Sequence, residues 1–382
     1  MAKTLYLHIG TYKTGTTSVQ EYFFSHTDFF AEHGIAYPIP PYRYVQKNGT
    51  KKPWSRNACF ISWPVWDEEG NRDLALENQQ FHDCMDQLHD LFRTYDTVVL
   101  SDEALCKRMY EIKGTLERVA QDSKENDYTL KLIIYLRRQD QFIESRWNQA
   151  IKVTLEHRMT IEDYIDYYSD YLDYYELLDY YASVVGDENI IVRRYTDAAR
   201  TGILQDFLQI IGMDPSGIPE ENPVTNTGLY GNTVRLKTLI NQVQSLTNAE
   251  QKFFGRSLLL CSDVSKQYYP CSEFSEEERR EFMSRYEGKN ALLADRFIGD
   301  GVPLFSDDYS GPPKREDMNP ELINDVVRSA AAADLLLYRE NLELSQRVRK
   351  LEKQVASLER RMDHIRHPLN AVASKIKRQI SR

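Results

Sequence analysis

Short runs of apolar and β-branched residues recur along the first half of the chain, and longer stretches with a helical pattern separate them. The runs are Thr4–Ile9, Thr97–Leu100, Leu130–Leu136 and Asn189–Val192. Strands that are apolar along their whole length need cover on both faces, and the intervening helices supply it. Predicted helices are Ser18–Phe30, Gln139–Lys152 and a long stretch from about Thr160 to Val185. The sequence therefore predicts an α/β fold, a parallel sheet flanked by helices.

Charge and cysteine content argue against several classes of protein. The 382 residues include 48 basic and 58 acidic ones, a formal net charge of −10, so we expect no binding of nucleic acid by the chain as a whole. The five cysteines are scattered, which argues against a disulfide framework or a zinc site. No apolar run reaches the roughly 20 residues of a membrane-spanning helix, and no signal pattern precedes the first strand. We expect a soluble, cytoplasmic protein.

Glycine and proline divide the chain near residue 300. Residues 299–320 contain seven of them, a density that interrupts helices and strands. We therefore predict an α/β domain over residues 1–298, a linker over 299–320 and a helical tail over 321–382. The charge changes as well, because residues 339–382 carry 12 basic and 5 acidic side chains.

The tail has a heptad repeat. One set of seam positions holds Leu337, Leu344, Leu351, Leu358 and Ile365, and the other holds Asn341, Val348, Val355 and Met362. The pattern predicts either a parallel coiled-coil homodimer, in which Arg347 pairs with Glu352 of the other chain, or one long helix folded back on its own domain. Pro368 is predicted to end or kink the helix. The basic segment Leu369–Arg382 then either contacts an anionic membrane or a partner, or forms a solvated end.

A glycine-containing loop follows the first strand. Residues 10–17 read Gly-Thr-Tyr-Lys-Thr-Gly-Thr-Thr, and a helix is predicted to begin after them. In such a loop the backbone N–H groups and the positive end of the helix dipole converge, which predicts a phosphate site. Gly10 and Gly15 have the spacing of a Walker A box, but Thr16 stands where a kinase or NTPase has its lysine. The lysine of this loop is Lys13.

The segment from Lys13 to Thr17 resembles the 5′-phosphosulfate loop of the sulfotransferases that use 3′-phosphoadenosine-5′-phosphosulfate (PAPS), and residues 8–17 are similar to the bacterial, carbohydrate-acting branch of that family. The resemblance covers residues 1 to about 215 and implies a P-loop-like sulfotransferase fold. It also implies that the 5′ end of PAPS is bound by Lys13, Thr14, Gly15, Thr16, Thr17 and Ser18. Ser18 departs from the eukaryotic cytosolic members, which have tryptophan at this position.

Two further elements carry the same resemblance. Arg137, at the end of the third predicted strand, and Ser145 resemble the arginine and serine that bind the 3′-phosphate. An arginine beside a hydroxyl can hold a phosphate that ATP lacks. Residues 192–197 resemble an element whose tyrosine lies near the adenine, here Tyr195, although Thr196 replaces the usual acid. The same segment is also compatible with a tyrosine that merely caps a strand.

The resemblance implies transfer of a sulfuryl group from PAPS to an acceptor hydroxyl or amine, without a metal. Lys13 would stabilise charge on the departing nucleotide. The acceptor must lose a proton, and Glu103 is the first candidate base because it follows the strand Thr97–Leu100 at its carboxyl end. His8 and Asp102 are the alternatives. Glu103 is also compatible with a solvated loop acid, and His8 with a core histidine.

The acceptor is predicted to be a carbohydrate or glycoconjugate. Residues 160–185 hold eight tyrosines, seven acids and no lysine or arginine, which suits either neutral sugars or a buried stripe of Tyr164, Tyr168, Tyr171 and Tyr175. Trp54, Trp63 and Trp66 either line an acceptor cleft or pack within a lid. Two other functions stay open: a magnesium-dependent P-loop kinase or NTPase, and a degenerate nucleotide-binding protein that acts through its coiled coil.

Overall fold

The structure is a computed structural model, and it describes residues 2–47, 49–153, 159–219, 229, 231–243, 246–265 and 270–380. The chain forms two compact units. The sheet unit comprises Met1–Thr227 and Cys271–Glu316, and the helical unit comprises Gly228–Pro270 and Asp317–Arg382.

Five parallel strands form the centre of the sheet unit, in the order β2-β3-β1-β4-β5. They are β1 Thr4–His8, β2 Ile35–Ala36, β3 Thr97–Ser101, β4 Thr129–Leu136 and β5 Ile190–Arg194. Leu5 of β1 lies between Val98 of β3 and Leu130 of β4 in the register. The predicted parallel sheet flanked by helices is confirmed. The two-residue strand β2 was not predicted, because it is too short to show a pattern.

Helices cover both faces of this sheet. On one face, Phe23 and Phe207 pack with Ile133 in a buried cluster. The alternate β4 residues Leu132 and Ile134, which point to the other face, are also fully buried. The helices of the sheet unit are α1 Thr16–Ser25, α2 Thr27–Glu32, α3 Leu74–Leu91, α4 Leu105–Glu111, α5 Thr115–Glu125, α6 Gln139–Val153, α7 Ile161–Tyr167, α8 Ser169–Leu172, α9 Tyr174–Val185, α10 Tyr195–Thr201, α11 Ile203–Ile210, α14 Glu276–Ser284 and α15 Glu287–Phe297.

The predicted long helix over residues 160–185 is three helices in the structure. Its last break is made by Asp173, whose side chain accepts a hydrogen bond from the N–H of Glu176 and begins α9 as an N-cap. Tyr164, Tyr168 and Tyr171 are each less than 5% exposed, and Tyr175 is half-buried. The tyrosines therefore form part of the core, which fits their interpretation as a buried stripe.

Residues 299–316 pack with the sheet unit, which differs from their prediction as a linker between domains. The Arg138 side chain donates to the carbonyl oxygens of Ser306 and Asp308 at 3.2 and 2.5 Å, and it is held by Asp140 at 2.8 Å. Leu304 is buried. Glycines and prolines remove regular structure here, but the side chain of Arg138, just after β4, satisfies part of the irregular backbone.

The helical unit contains α12 Thr233–Gln242, α13 Asn248–Ser265 and α16 Asn319–Ile380. The first part of α16 packs against α13, where Arg256 lies 2.9 Å from Glu340 and Ala332 is buried. From residue 341 to 359 every side chain is exposed except the half-exposed Ala356. Pro368 was predicted to end or kink the helix, and α16 does not end there but continues to Ile380. Within the described part of the chain, none of the helices has the length and hydropathy needed to cross a membrane.

Candidate functional site

A cavity of about 520 Å³ lies where the strands of the sheet unit end. Its walls come from the loop after β1, from Glu103 after β3, from Arg137 after β4 and from Tyr195 after β5. Parallel strands bring their carboxyl ends to one edge of a sheet, so residues far apart in the sequence meet there. Eight predicted site residues line this cavity: Lys13, Gly15, Thr16, Thr17, Ser18, Glu103, Arg137 and Tyr195.

The loop after β1 adopts left-handed backbone conformations at three positions. Gly10 has φ +80°, Lys13 has φ +66° and Gly15 has φ +76°. A left-handed conformation is costly for a lysine and is typical of sites where function fixes the backbone. Thr14 Oγ1 donates to the carbonyl oxygen of Thr11 at 2.6 Å and is fully buried, so Thr14 stabilises the loop and does not line the cavity.

At Gly10 the loop after β1 packs closely against the backbone of Glu103, in the loop after β3. A Cβ atom at this position would lie 2.9 Å from Cα of Glu103 and 3.1 Å from its carbonyl oxygen. Only glycine fits this contact, which holds the backbone of Glu103 beside the loop of Lys13.

Lys13 and Arg137 lie next to each other in the cavity. Lys13 Nζ is 3.5 Å from Gln149 Oε1, and one terminal nitrogen of Arg137 donates to the Lys13 carbonyl oxygen at 3.4 Å. Burial and the neighbouring positive charge of Arg137 lower the pKa of Lys13, although Glu103 opposes this. Arg137 Nε is buried without a partner among the described residues, and the guanidinium carbon lies 5.4 Å from the centre of the Tyr195 ring. An anion between these cations would relieve both their repulsion and their desolvation.

Glu103 and Asp102, which are adjacent in sequence, have different surroundings. Asp102 is fully buried and accepts hydrogen bonds from Trp63 Nε1 at 2.5 Å and Cys59 Sγ at 3.1 Å, and it forms an ion pair with Arg56. Burial alone would raise the pKa of Asp102, but Arg56 lowers it. Asp102 is therefore a structural anion. The Glu103 side chain is 26% exposed in the cavity, and its Oε1 lies 3.5 Å from Arg56.

His8, the second candidate base, does not line the cavity. The residue is fully buried in β1, and its Nδ1 lies 3.0 Å from Ser101 Oγ. Burial lowers the pKa of His8 to about 3, so the ring is neutral at physiological pH. The structure therefore matches the interpretation of His8 as a core histidine and leaves Glu103 as the carboxylate in the cavity.

Ser145 is half-buried and is not among the residues that line the cavity, whereas the next residue in α6, Arg146, is. The Arg146 guanidinium lies 4.5 Å from the centre of the Tyr12 ring, and Arg146 Nε is buried without a partner in the described chain. Lys52 and Arg56 also line the cavity and were not predicted as site residues. A signal for these two was present, because residues 37–66 contain five basic residues and no acidic one.

The charge of the cavity is opposite in sign to that of the whole chain. Its lining residues include five cations (Lys13, Lys52, Arg56, Arg137 and Arg146) and one carboxylate, Glu103. Such an excess of positive charge in a partly enclosed site favours a ligand with several negative charges. Among the described residues there is no group of three or more His, Cys, Asp or Glu side chains placed to hold a metal ion.

Comparison with known proteins gives two similarities. No protein-family model matches the chain. An uncharacterized protein of Archaeoglobus fulgidus is 28% identical over 171 residues, which is 44% of this chain and 46% of that protein, so the match spans less than half of that relative. Among solved structures, a sulfotransferase from Alicyclobacillus acidocaldarius is similar at 17% identity with a TM-score of 0.36, over 70% of this chain and 97% of that one. Neither similarity assigns an activity to this chain.

Proposed function

We propose that this protein transfers a sulfuryl group from PAPS to a hydroxyl or amine of an acceptor, on a carbohydrate or glycoconjugate. The observation that supports the proposal is the meeting of Lys13, Arg137 and Glu103 in one cavity. A cation in the loop after β1, a second cation at the end of β4 and a carboxylate opposite them are the groups that this transfer needs. A kinase would need a lysine at position 16, which is Thr16.

The donor half of the cavity is assigned to the residues around Lys13. The N–H groups at the start of α1 and the Lys13 ammonium suit the 5′-phosphosulfate. Arg137 suits the 3′-phosphate, because its buried Nε has no partner among the described residues and a charge-assisted bond would satisfy it. Tyr195, beside Arg137, is assigned to the adenine. Arg146, which lines the cavity where Ser145 does not, is assigned as a further cation for the nucleotide phosphates.

PAPS, when bound, supplies an activated sulfuryl group. In the reaction the acceptor oxygen or nitrogen bonds to sulfur, the bond from sulfur to the bridging phosphate oxygen breaks, and the electron pair leaves with the phosphate. Lys13 stabilises the charge that develops on that oxygen. Glu103 accepts the proton of the acceptor. Arg56, 3.5 Å from Glu103 and itself held by Asp102, orients the carboxylate.

The five cysteines support a reducing compartment as the place of action. None of the five forms a disulfide in the described chain, and four of them are buried. Reducing conditions preserve such thiols, so we propose that the protein acts in the cytoplasm.

Titration calorimetry without magnesium tests the donor assignment. We expect adenosine 3′,5′-bisphosphate to bind with a dissociation constant in the micromolar range, and AMP and ATP to bind at least tenfold more weakly. Arg137→Ala should lose about 10- to 100-fold in affinity for the bisphosphate, because a charge-assisted contact is worth about 1.5–3 kcal/mol. Arg200→Ala is the matched control, since the side chain of Arg200 is 76% exposed and does not line the cavity. Preference for ATP, or no binding of the bisphosphate, would overturn the proposal.

A further inference from the structure

The segment between α2 and α3 carries positive charge along one side of the cavity. Residues 37–66 contain Arg43, Lys47, Lys51, Lys52 and Arg56 and no acid, in a chain of net charge −10. Among the described residues, none of the first four has a carboxylate within ion-pair distance, whereas Arg56 has two, Asp102 and Glu103. This basic segment is therefore an exception to the acidic character of the protein.

Tryptophans hold three of these cations in place. Arg43 lies 5.6 Å from the ring centre of Trp54, Lys47 lies 5.1 Å from that of Trp66, and Lys52 lies 5.0 Å from that of Trp63. Cation–π contacts of this kind fix the position of a charge without neutralising it. The Trp63 ring is also approached by the guanidinium groups of Arg56 and Arg108, at 5.6 and 4.6 Å. Because cations already occupy its surroundings, Trp63 is poorly placed to stack on a neutral sugar.

The basic segment reaches the cavity on the side of Glu103. Gln46, Lys52, Arg56 and Trp63 all line it. Burial and the charge of Arg56 lower the pKa of Lys52, while the negative charges of Asp102 and Glu103 oppose this, so Lys52 is electrostatically coupled to the carboxylates on this side. The tyrosine-rich residues 160–185 contribute nothing to the lining. The charged side chains available to contact an acceptor next to Glu103 are therefore the cations Lys52 and Arg56.

We infer that the acceptor is anionic, with a carboxylate or phosphate group close to the hydroxyl or amine that receives the sulfuryl group, and that it extends from the cavity along Lys52, Lys47 and Arg43. This inference rests on the proposed function. Carboxylate and phosphate share the chemistry that the segment recognises, a charged oxygen that accepts hydrogen bonds from lysine and arginine.

Binding of defined polymers in the presence of saturating adenosine 3′,5′-bisphosphate tests the inference. The probes are polygalacturonate, its fully methyl-esterified form, and poly(glycerol phosphate), so that the first two differ in charge and the third replaces carboxylate by phosphate. We expect at least one polyanion to bind more than tenfold more tightly than the ester. Its affinity should fall with salt, as expected for released counterions. Lys52→Gln should weaken this binding several-fold, and Lys124→Gln, an exposed lysine of α5, should not.

The outcomes separate this inference from the proposed function. If the bisphosphate binds but neither polyanion binds more tightly than the ester, the anionic acceptor is wrong and the donor assignment stands. Loss of bisphosphate binding in Lys52→Gln would place Lys52 in the donor half, which also overturns the inference. Tighter binding of a single-stranded DNA oligonucleotide than of either polyanion would contradict it as well. Failure of the bisphosphate to bind the unmodified protein overturns the proposed function itself.

A second and independent observation concerns helix α16. The seam residues Leu344, Val348, Leu351, Val355 and Leu358 are each between 51 and 59% exposed in the single chain. An isolated helix gains little stability in water unless its apolar stripe is covered. The repeat of alternating three- and four-residue steps matches the contact pattern of a two-stranded coiled coil.

We propose that a second copy of this chain covers the stripe, in parallel register. In that register Asn341 faces its own counterpart, which fixes the alignment. Arg347 of each chain then lies beside Glu352 of the other, and an antiparallel pair would lose this charge match. The chain is thus complementary in charge to its own copy in parallel register, which supports a second copy as the partner.

Light scattering after size-exclusion chromatography of the full chain tests the dimer. We expect twice the chain mass of 44.7 kDa. Leu351→Lys should give monomers, whereas Leu342→Lys should not, because Leu342 is 48% exposed on the same helix but outside the seam. Arg347→Glu should weaken the dimer, and adding Glu352→Arg should restore it only in the parallel register. A monomeric unmodified chain, or equal effects of the two leucine variants, would refute the proposal, and lack of charge-swap rescue would refute its parallel register.

Discussion

The close approach of Gly10 to Glu103 makes a stability prediction that does not depend on the function. In Gly10→Ala the new Cβ lowers the free energy of unfolding in two ways. An L-residue at φ +80° costs about 1–2 kcal/mol, of which about 0.4–1 kcal/mol is recovered because alanine restricts the unfolded chain. The Cβ also lies 2.9 Å from Cα of Glu103, a backbone atom that cannot rotate away, and overpacking of this kind costs about 1–3 kcal/mol. We expect a total loss of about 2–4 kcal/mol in the free energy of unfolding.

Gly34→Ala is the matched control for this substitution. Gly34 has φ +77°, and a Cβ there would meet no atom within 4 Å, so only the conformational cost of about 1 kcal/mol applies. Urea unfolding followed by tryptophan fluorescence measures both, since Trp54, Trp63, Trp66 and Trp147 all belong to the sheet unit. The difference between the two variants isolates the contact. Equal losses in both would show that the loops after β1 and β3 do not touch as described, and would refute the reasoning.

Three further predictions concern buried and cavity groups. Asp102→Asn should destabilise the protein by about 3–5 kcal/mol because it leaves Arg56 without its buried partner, whereas Asp90→Asn, in an exposed pair, should cost less than about 1 kcal/mol in the same urea assay. The pKa of His8 is lowered to about 3, so between pH 6.5 and 3 the unfolded chain binds more protons than the folded one. As the pH is lowered through this range, the free energy of unfolding should fall by up to about 1.4 kcal/mol per pH unit. Chemical denaturation at each pH should show a shallower fall for His8→Gln, and an unchanged slope would contradict this. If Glu103 is the base, Glu103→Gln should slow sulfuryl transfer about 10²- to 10⁴-fold while calorimetry shows unchanged bisphosphate affinity, and a normal rate would exclude the role.

The strands and the placement of the cavity could be predicted from sequence because both follow from local pattern. A strand buried on both faces must be largely apolar, and β1, β3 and β4 each show such a run. The edge strand β5 shows a shorter one, Ile190–Val192, before Arg193 and Arg194. The edge strand β2 has two residues and shows none. Lys13, Glu103, Arg137 and Tyr195 each lie within five residues of the end of a strand. Because the strands are parallel, these positions meet at one edge of the sheet.

The direction of individual side chains was less predictable. Thr14 has the residue type of a phosphate ligand, but its hydroxyl turns back to Thr11. In α6 the cavity is lined by Arg146 and not by Ser145, because consecutive residues of a helix point about 100° apart and a one-residue difference selects another face. Similarly, the break at Asp173 depends on a capping bond that a tyrosine-rich helical pattern does not reveal.

By itself, the sequence determined the parallel sheet, the loop that holds Lys13 and the strand ends that meet at the cavity. Each of these features follows from the burial pattern or the backbone conformation of a few consecutive residues. Only the tertiary structure decided that Lys52 and Arg56 face Glu103 and that Asp102 is a buried anion. The positions of Lys52 and Arg56, and the contacts of Arg56 with Asp102, depend on the path of the irregular segment between α2 and α3. Such a segment has no period, so its position is set by contacts with distant parts of the chain, such as the bonds from Arg56 and Trp63 to Asp102.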